Sequence, residues 1–369
     1  MYKKIFSDIK AVPEILKPNV LPSLDGFRAI SIFIVLISHL NSRWQNQFLI
    51  DFCKGKLGVY IFFVISGFLI TTLLLKEKIS TGNISLKKFY IRRFLRILPV
   101  AYLYIAVVIL LNYIFNFNIP VLSLLMALLF LQNVYLPNGN DFFVNHYWSL
   151  SVEEQFYFIF PSILKKSTKT YIYFIFSALI AIIIIKNISF LPYHKDGSMN
   201  SKIIGIFYFL FIHFCGIISQ LDGIVIGSLL AILTFKGLIP VHFLIKHKVI
   251  ISILLLPLIV LVHGVFLLNS PYNTIFSSIL IAILIISNIT KSNDVVFKFL
   301  NNQIVIFLGK LSYSLYIWQQ IFTLANARSE KLPWYNSPWN LIGLFATACV
   351  SYFLYEKKFL LLKAKFKSN

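Results

Sequence analysis

Arg28 and His39 are separated by ten residues inside one apolar run, LDGFRAISIFIVLISHL. Eleven steps of about 100° return an α-helix nearly to its starting face, so both side chains project the same way. Eleven rises of about 1.5 Å put them roughly 16 Å apart, about half the depth of a bilayer core. A guanidinium and an imidazole are costly in lipid and face a water-filled cavity or a bundle interior. The imidazole titrates near neutral pH and can take a proton from an attacking hydroxyl. The guanidinium stays charged, so it binds or stabilises an anion. The plain alternative is a satisfied buried pair without chemistry.

A second signal is FYIRRFLRILP, which holds Arg92, Arg93 and Arg96, three of the six arginines in the chain, just before Pro99. The planar guanidinium fork matches phosphate oxygens bidentately, so a phosphorylated ligand suits the cluster. Anchoring on anionic headgroups is the other use of such a cluster. A third signal is HYWSLSVEEQFYFIFP, His146–Pro161, with adjacent carboxylates at Glu153 and Glu154. Ser149 or Ser151 can cap the helix with one glutamate reaching back. Adjacent residues point about 100° apart on a helix, so the other glutamate faces elsewhere, where it can orient or charge-stabilise an imidazole. Trp148, Phe156 and Tyr157 read as interfacial belt or core. Asp25 can cap the first helix or pair with Arg28. Asp222 in SQLDGIVIG reads equally as a cavity residue or a helix cap, and Ser66 and Gly67 permit close helix packing. His213 and His263 have no ligand-spaced partner, and Cys53, Cys215 and Cys349 have no metal spacing, so no metal is expected.

These residues need a membrane bundle to position them. The 369-residue chain is 58% hydrophobic and only 13% charged, with mean hydropathy +0.81, which excludes an ordinary soluble domain. Its formal charge of +21 lies in connections between apolar runs, as the positive-inside rule expects, and is no nucleic-acid footprint. Lys3, Lys4, Lys10 and Lys17 place the N-terminus inside, ahead of spans at Leu24–Leu40 and Leu57–Leu75. The connection Lys76–Arg96 is then cytoplasmic. Two apolar runs, 121–136 and 203–218, are short. If both cross there are twelve spans; if neither does there are ten, and Lys165, Lys166 and Lys169 fall inside with the other lysines. The charge rule prefers ten. The expected fold is an all-α polytopic integral-membrane bundle of about ten helices, forming one domain over residues 1–369 with no appended soluble domain.

Together these stretches resemble the membrane-bound acyltransferase family 3, integral-membrane O-acyltransferases. The Arg28–His39 spacing is similar to that of the family's first helix. GVYIFFVISGFLI, the Arg92–Arg96 block, HYWSLSVEEQFYFIFP, QLDGIVIGSLLAIL, LGKLSYSLYIWQQ and YEKKF follow in the family's order. Two departures stand out. Gln319 follows Trp318 where the family commonly has His, and Gln220 and Leu221 precede Asp222 where Arg is common.

The resemblance implies an acyl-coenzyme A donor, usually acetyl-CoA, and a hydroxyl acceptor on a cell-surface or lipid-linked glycan. It implies a multi-pass protein of a bacterial plasma membrane. Arg92, Arg93 and Arg96 would hold the donor's phosphates. His39 would be the base, Glu153 would orient it, and Arg28 would contact the donor or stabilise developing charge. Glu154, Asp222 and Trp148 would lie on the substrate side. The missing appended domain implies direct delivery to the acceptor. A transporter of an anionic or lipid-linked molecule, with Arg28 and Glu153 as pathway charges, is the main rival, although no inverted halves are visible. An inactive member of the family is the other, to which Gln319 gives some weight.

Overall fold

A computed structural model of the protein describes residues 7, 9–44, 54–134, 140–190, 217–264, 272–323, 329–336 and 338–366. Among them there is no β-strand, as an apolar chain that must satisfy its backbone internally requires. The helices in order are α1 (Leu24–Trp44), α2 (Gly55–Thr81), α3 (Leu86–Phe115), α4 (Val121–Leu128), α5 (Tyr147–Lys166), α6 (Thr168–Phe190) and α7 (Asp222–Phe235). They continue with α8 (Val241–Lys246), α9 (Lys248–Gly264), α10 (Asn273–Asn288), α11 (Val295–Leu300), α12 (Gln303–Thr323) and α13 (Trp339–Val350). A π-helical turn, Ser351–Glu356, joins α13 to α14 (Lys357–Ala364).

By length and composition three of the described helices can cross a membrane: α2, α3 and α6. Shorter apolar helices are α7, α9 and α10. α1 has 21 residues but spends its first turns on Asp25 and Arg28. α4 has only eight residues, about 12 Å of helix against a core of about 30 Å. The other short run, 203–218, lies largely outside the described residues, as do His213, Cys53 and Cys215.

Local sequence sets the helix ends near the candidate site. α2 stops at Gly82, whose φ of 76° is the left-handed conformation glycine adopts without cost. The Ser85 hydroxyl then caps α3 by accepting from the Lys88 amide. The tight reversal returns the chain at once, and the α3 arginines lie beside the end of α2. α5 runs the opposite way to α1, and its C-terminal end meets the end of α2, where Lys78 donates to the Leu164 carbonyl at 2.8 Å. Lys165 and Lys166 therefore share one end of the bundle with Lys78.

Packing explains why α7 is apolar all round. Nearly every residue from Asp222 to Phe235 is buried, which is the pattern of an interior helix. Gly67 of α2 and Gly227 of α7 face each other's backbones: a Cβ at either would run into the carbonyl of Ile224 or Val64. Gly309 of α12 meets the Asp25 backbone of α1 in the same way. In lipid, where apolar side chains gain little by associating, such close approach supplies dispersion contact. α1 is thereby clamped between α2 and α12. Asn301, at the end of α11, exchanges hydrogen bonds with Ser23 at 3.0 and 2.9 Å, holding the entry to α1.

Candidate active site

One cavity opens between α1, α2, α3, α5 and α12. Arg28, Ser66, Arg93, Arg96, Glu153 and Ser312 supply its polar wall, with the Tyr313 and Tyr316 hydroxyls nearby. Phe62, Phe63, Leu69 and Leu150 supply apolar wall. Its volume of about 90 Å³ holds a few waters or a small acyl head, since one water needs about 10–15 Å³ on this measure.

The residues reach this cavity for local reasons. Arg28 sits one turn after Asp25, whose carboxylate accepts from Nη1 at 2.7 Å, so the pairing alternative for Asp25 is the one realised. Glu153 accepts from the Ser66 hydroxyl at 2.7 Å. Ser66 therefore does more than thin the helix: it turns a carboxylate toward three guanidinium groups. Neither expected serine cap forms. The N-cap of α5 is His146, without a side-chain hydrogen bond. Ser149 donates to the His146 carbonyl at 3.2 Å and shares a hydrogen bond with Tyr316. Ser151 donates to the Tyr147 carbonyl at 2.9 Å.

Glu154 leaves by the other face, as the 100° step requires. It lines a separate groove with Arg93, Gln155 and Tyr157, and its buried Oε1 has no hydrogen-bond partner. Arg93 separates cavity and groove and lines both. Its guanidinium lies 4.3 Å from the Tyr157 ring centroid and 5.8 Å from that of Phe89, which holds a cation without neutralising it.

Arg92 is placed differently from Arg93 and Arg96. It donates to Glu77, 3.3 Å away, and to the Phe366 carbonyl at 2.8 Å. Glu77 is almost wholly buried and also accepts from the Ser85 amide at 2.8 Å. Arg92 is thus a structural tie between α2, α3 and the segment after α14, and it lines neither cavity nor groove. The helical step explains it: Arg93 and Arg96 are three apart and share a face, whereas Arg92 points about 100° away.

His39 does not line the cavity of Arg28. It lies farther along α1, close enough to His146 for their charges to interact. The structure therefore sets Glu153 among the arginines, and His146 is one group that it brings within charge-interaction range of His39. Nothing in the motif that contains His146 marks this placement in the sequence. The His146 ring stacks edge-on against Tyr104 (5.1 Å), Tyr147 (5.0 Å) and Tyr316 (5.8 Å). Nearby on α12, the Gln319 amide is fully buried with neither its nitrogen nor its oxygen paired.

The two remaining expected site residues lie outside this arrangement. Asp222 is fully buried in an ion pair with Lys186 at 3.2 Å, accepts from the Thr274 hydroxyl and takes the Gly223 amide at 2.9 Å. It joins α6, α7 and α10 and lines neither opening. Trp148 meets Phe63 edge-on at 5.9 Å, a packing contact behind the cavity wall. Glu356, in the YEKKF segment, is held by Ser314 and Ser351 at the π-helical turn. Among the described residues no group of His, Cys, Asp and Glu side chains could hold a metal ion.

No solved structure matches the chain. A Staphylococcus aureus (strain COL) protein, provisionally named an O-acetyltransferase, is 36% identical over 333 residues, covering 82% of this chain and 50% of its own length. The O-acetyltransferase OatA of Staphylococcus aureus (strain NCTC 8325 / PS 47) is 31% identical over 339 residues, covering 84% and 52%. The chain thus spans about half the length of these curated relatives. The profile described as an acyltransferase domain matches residues 21–356, almost the whole bundle, and the chain belongs to the acyltransferase 3 family.

Proposed function

We propose that this chain is a membrane-embedded O-acetyltransferase that moves an acetyl group from acetyl-coenzyme A to a hydroxyl of a surface or lipid-linked glycan. The observation that carries this reading is the convergence of Arg28 from α1, Arg93 and Arg96 from α3, and Glu153 from α5 on one cavity. Three cations against one lining carboxylate suit an anionic donor. Arg93 and Arg96 hold phosphate, and Arg28 contacts the donor farther in. Sixteen ångströms, roughly, along α1 put Arg28 beyond hydrogen-bond reach of a carbonyl reacting at His39, so Arg28 is a donor contact rather than the stabiliser of that oxyanion.

In the chemical step His39 takes the proton of the acceptor hydroxyl as its oxygen attacks the thioester carbon. The carbon–sulfur bond breaks, the acetyl group stays on the acceptor oxygen, and the thiolate leaves with coenzyme A. His146 and the unpaired Gln319 amide form the polar surroundings of that step, and Glu154 in the separate groove is a substrate contact. A ten-span topology accommodates this path. It is supported by the eight-residue length of α4 and by the meeting of Lys78 with the end of α5. It puts His39 toward the outer face, where a glycan arrives, and the α3 arginines toward the cytoplasm.

The test is transfer by purified protein in proteoliposomes carrying a surface-glycan acceptor, with acetyl-coenzyme A supplied on one side. Free thiol should appear with an alkali-labile acetyl signal in the proton NMR spectrum of the glycan. Uptake of the acceptor or donor without thiol release would replace this reading with the transporter.

A further inference from the structure

The helix after the last apolar stretch carries a cation that the family profile does not reach. That profile ends at Glu356, and α14 follows, opening with the double lysine Lys357–Lys358. α14 lies against α3 and the π-helical turn. Its direction is set by two contacts. Glu356 points into the bundle toward Ser314, and the Phe366 carbonyl accepts from Arg92. Lys363 is seven residues after Glu356 and three before Phe366. Seven steps of about 100° return to within about 20° of the starting face, so Lys363 faces inward over the arginines.

Lys363 is partly buried and makes no salt bridge with any described carboxylate, and Arg93 and Arg96 make none either. Arg28 and Arg92 have theirs, with Asp25 and Glu77. Five cations are thus gathered at one end of the bundle, three of them without a salt bridge to a described carboxylate. Like charges at this range repel, Glu153 offsets only part of that repulsion, and a multiply charged anion seated among them offsets more.

We propose that Lys363 is a further phosphate contact of the donor site and that a phosphate seated there captures a proton on its amine. The inference rests on the donor reading of Arg93 and Arg96 and extends it to α14. The Lys363 amine is pushed down to about 7, first by burial and then by Arg96, Arg93, Arg28 and Arg92. The facing carboxylates Glu356, Glu77 and Asp25 are each engaged, by Ser314 and Ser351, by Arg92 and by Arg28; Glu153 lies deeper, on Ser66. The other nearby ionisable groups of α14 and its C-cap, Lys357, Lys358 and Lys365, are cations and add to the repulsion. At neutral pH a large share of Lys363 is therefore neutral until the anion arrives. The bound phosphate restores the charge, and the proton comes from solvent. The sign follows: affinity is highest below pH 7 and falls as pH rises above it, at a limiting slope of about tenfold per pH unit.

The experiment is calorimetric titration of the full chain in detergent with a non-hydrolysable thioether analogue of acetyl-coenzyme A between pH 6 and pH 9. A second titrant, phosphatidylglycerol in mixed micelles, tests a headgroup as the source of the phosphate. Lys363→Met should weaken the analogue about 10- to 100-fold at pH 6.5, the range of one charge-assisted hydrogen bond. Lys363→Arg should bind at pH 6.5 like the wild type and lose the fall above pH 7. That variant keeps the charge and so tests the idea even if the Met variant folds poorly. An analogue that binds the wild type and is lost in Arg93→Ala/Arg96→Ala, yet is unaffected in slope and strength by both Lys363 changes, overturns the role of Lys363 alone. So does a Lys363→Met effect confined to phosphatidylglycerol. Failure of the wild type to bind the analogue, or indifference to Arg93→Ala/Arg96→Ala, overturns the donor reading and this inference with it.

Discussion

Arg92 and Arg93 are neighbours in sequence with opposite expected responses to mutation. Removing the Arg92 guanidinium leaves the Glu77 carboxylate, with 4% of its side chain exposed, on the Ser85 amide alone. Breaking a buried pair from one side costs about 3–5 kcal/mol. Arg92 is itself 18% exposed and the Ser85 hydrogen bond survives, which puts Arg92→Gln near the lower end, about 3 kcal/mol. The Glu77→Gln/Arg92→Gln double variant should recover part of that loss, because no unpaired charge remains buried. A double-mutant cycle on unfolding in mixed micelles should return a coupling of about 1–3 kcal/mol. Binding of the acetyl-coenzyme A analogue to folded Arg92→Gln should stay within about threefold of wild type, a change of less than about 0.7 kcal/mol. Arg93→Gln and Arg96→Gln should show the reverse, near-normal unfolding with binding weakened at least tenfold. An Arg92→Gln variant that unfolds normally and cannot bind the analogue would refute the assignment and return Arg92 to the donor site.

Three further outcomes are expected. His39→Ala should lower acetyl transfer by about 100-fold or more, the contribution of a positioned base, while binding of the thioether analogue and unfolding change little; transfer at the wild-type rate would remove His39 from the chemistry. Gly67→Leu should yield little folded protein, because its side chain must displace the Ile224 backbone, whereas Gly82→Asn, at an open turn with φ of 76°, should be tolerated; recovery of folded Gly67→Leu by size-exclusion chromatography in wild-type yield would contradict the packing argument. A single cysteine at Ser167 in a background without native cysteines should resist a membrane-impermeant thiol reagent in intact cells, and ready labelling would place the end of α5 outside and undo the ten-span path.

The sequence by itself determined the class of the fold and the residues that carry charge into it. Chain hydropathy and the lack of any way to satisfy an open backbone in lipid leave helices as the solution for apolar runs of this length. Helical periodicity alone put Arg28 and His39 on one face, and the scarcity of arginine marked the α3 cluster. It also separated Glu153 from Glu154, because adjacent residues on a helix diverge whatever surrounds them.

Tertiary structure decided which of these residues meet. Arg92 looks equivalent to Arg93 in the sequence, and only the buried Glu77, fifteen residues away at the end of α2, shows it to be a structural tie. Glu153 looked like a partner for His39, but the Ser66 hydroxyl on α2 turns it toward the arginines, while His146 at the start of α5 approaches His39. Asp222 had even alternatives until Lys186 and Thr274, from helices far along the chain, closed around it. Each of these outcomes depends on a partner supplied by another helix. Periodicity gives the direction of a side chain about its own axis, and only the packing of one helix on another says what lies in that direction.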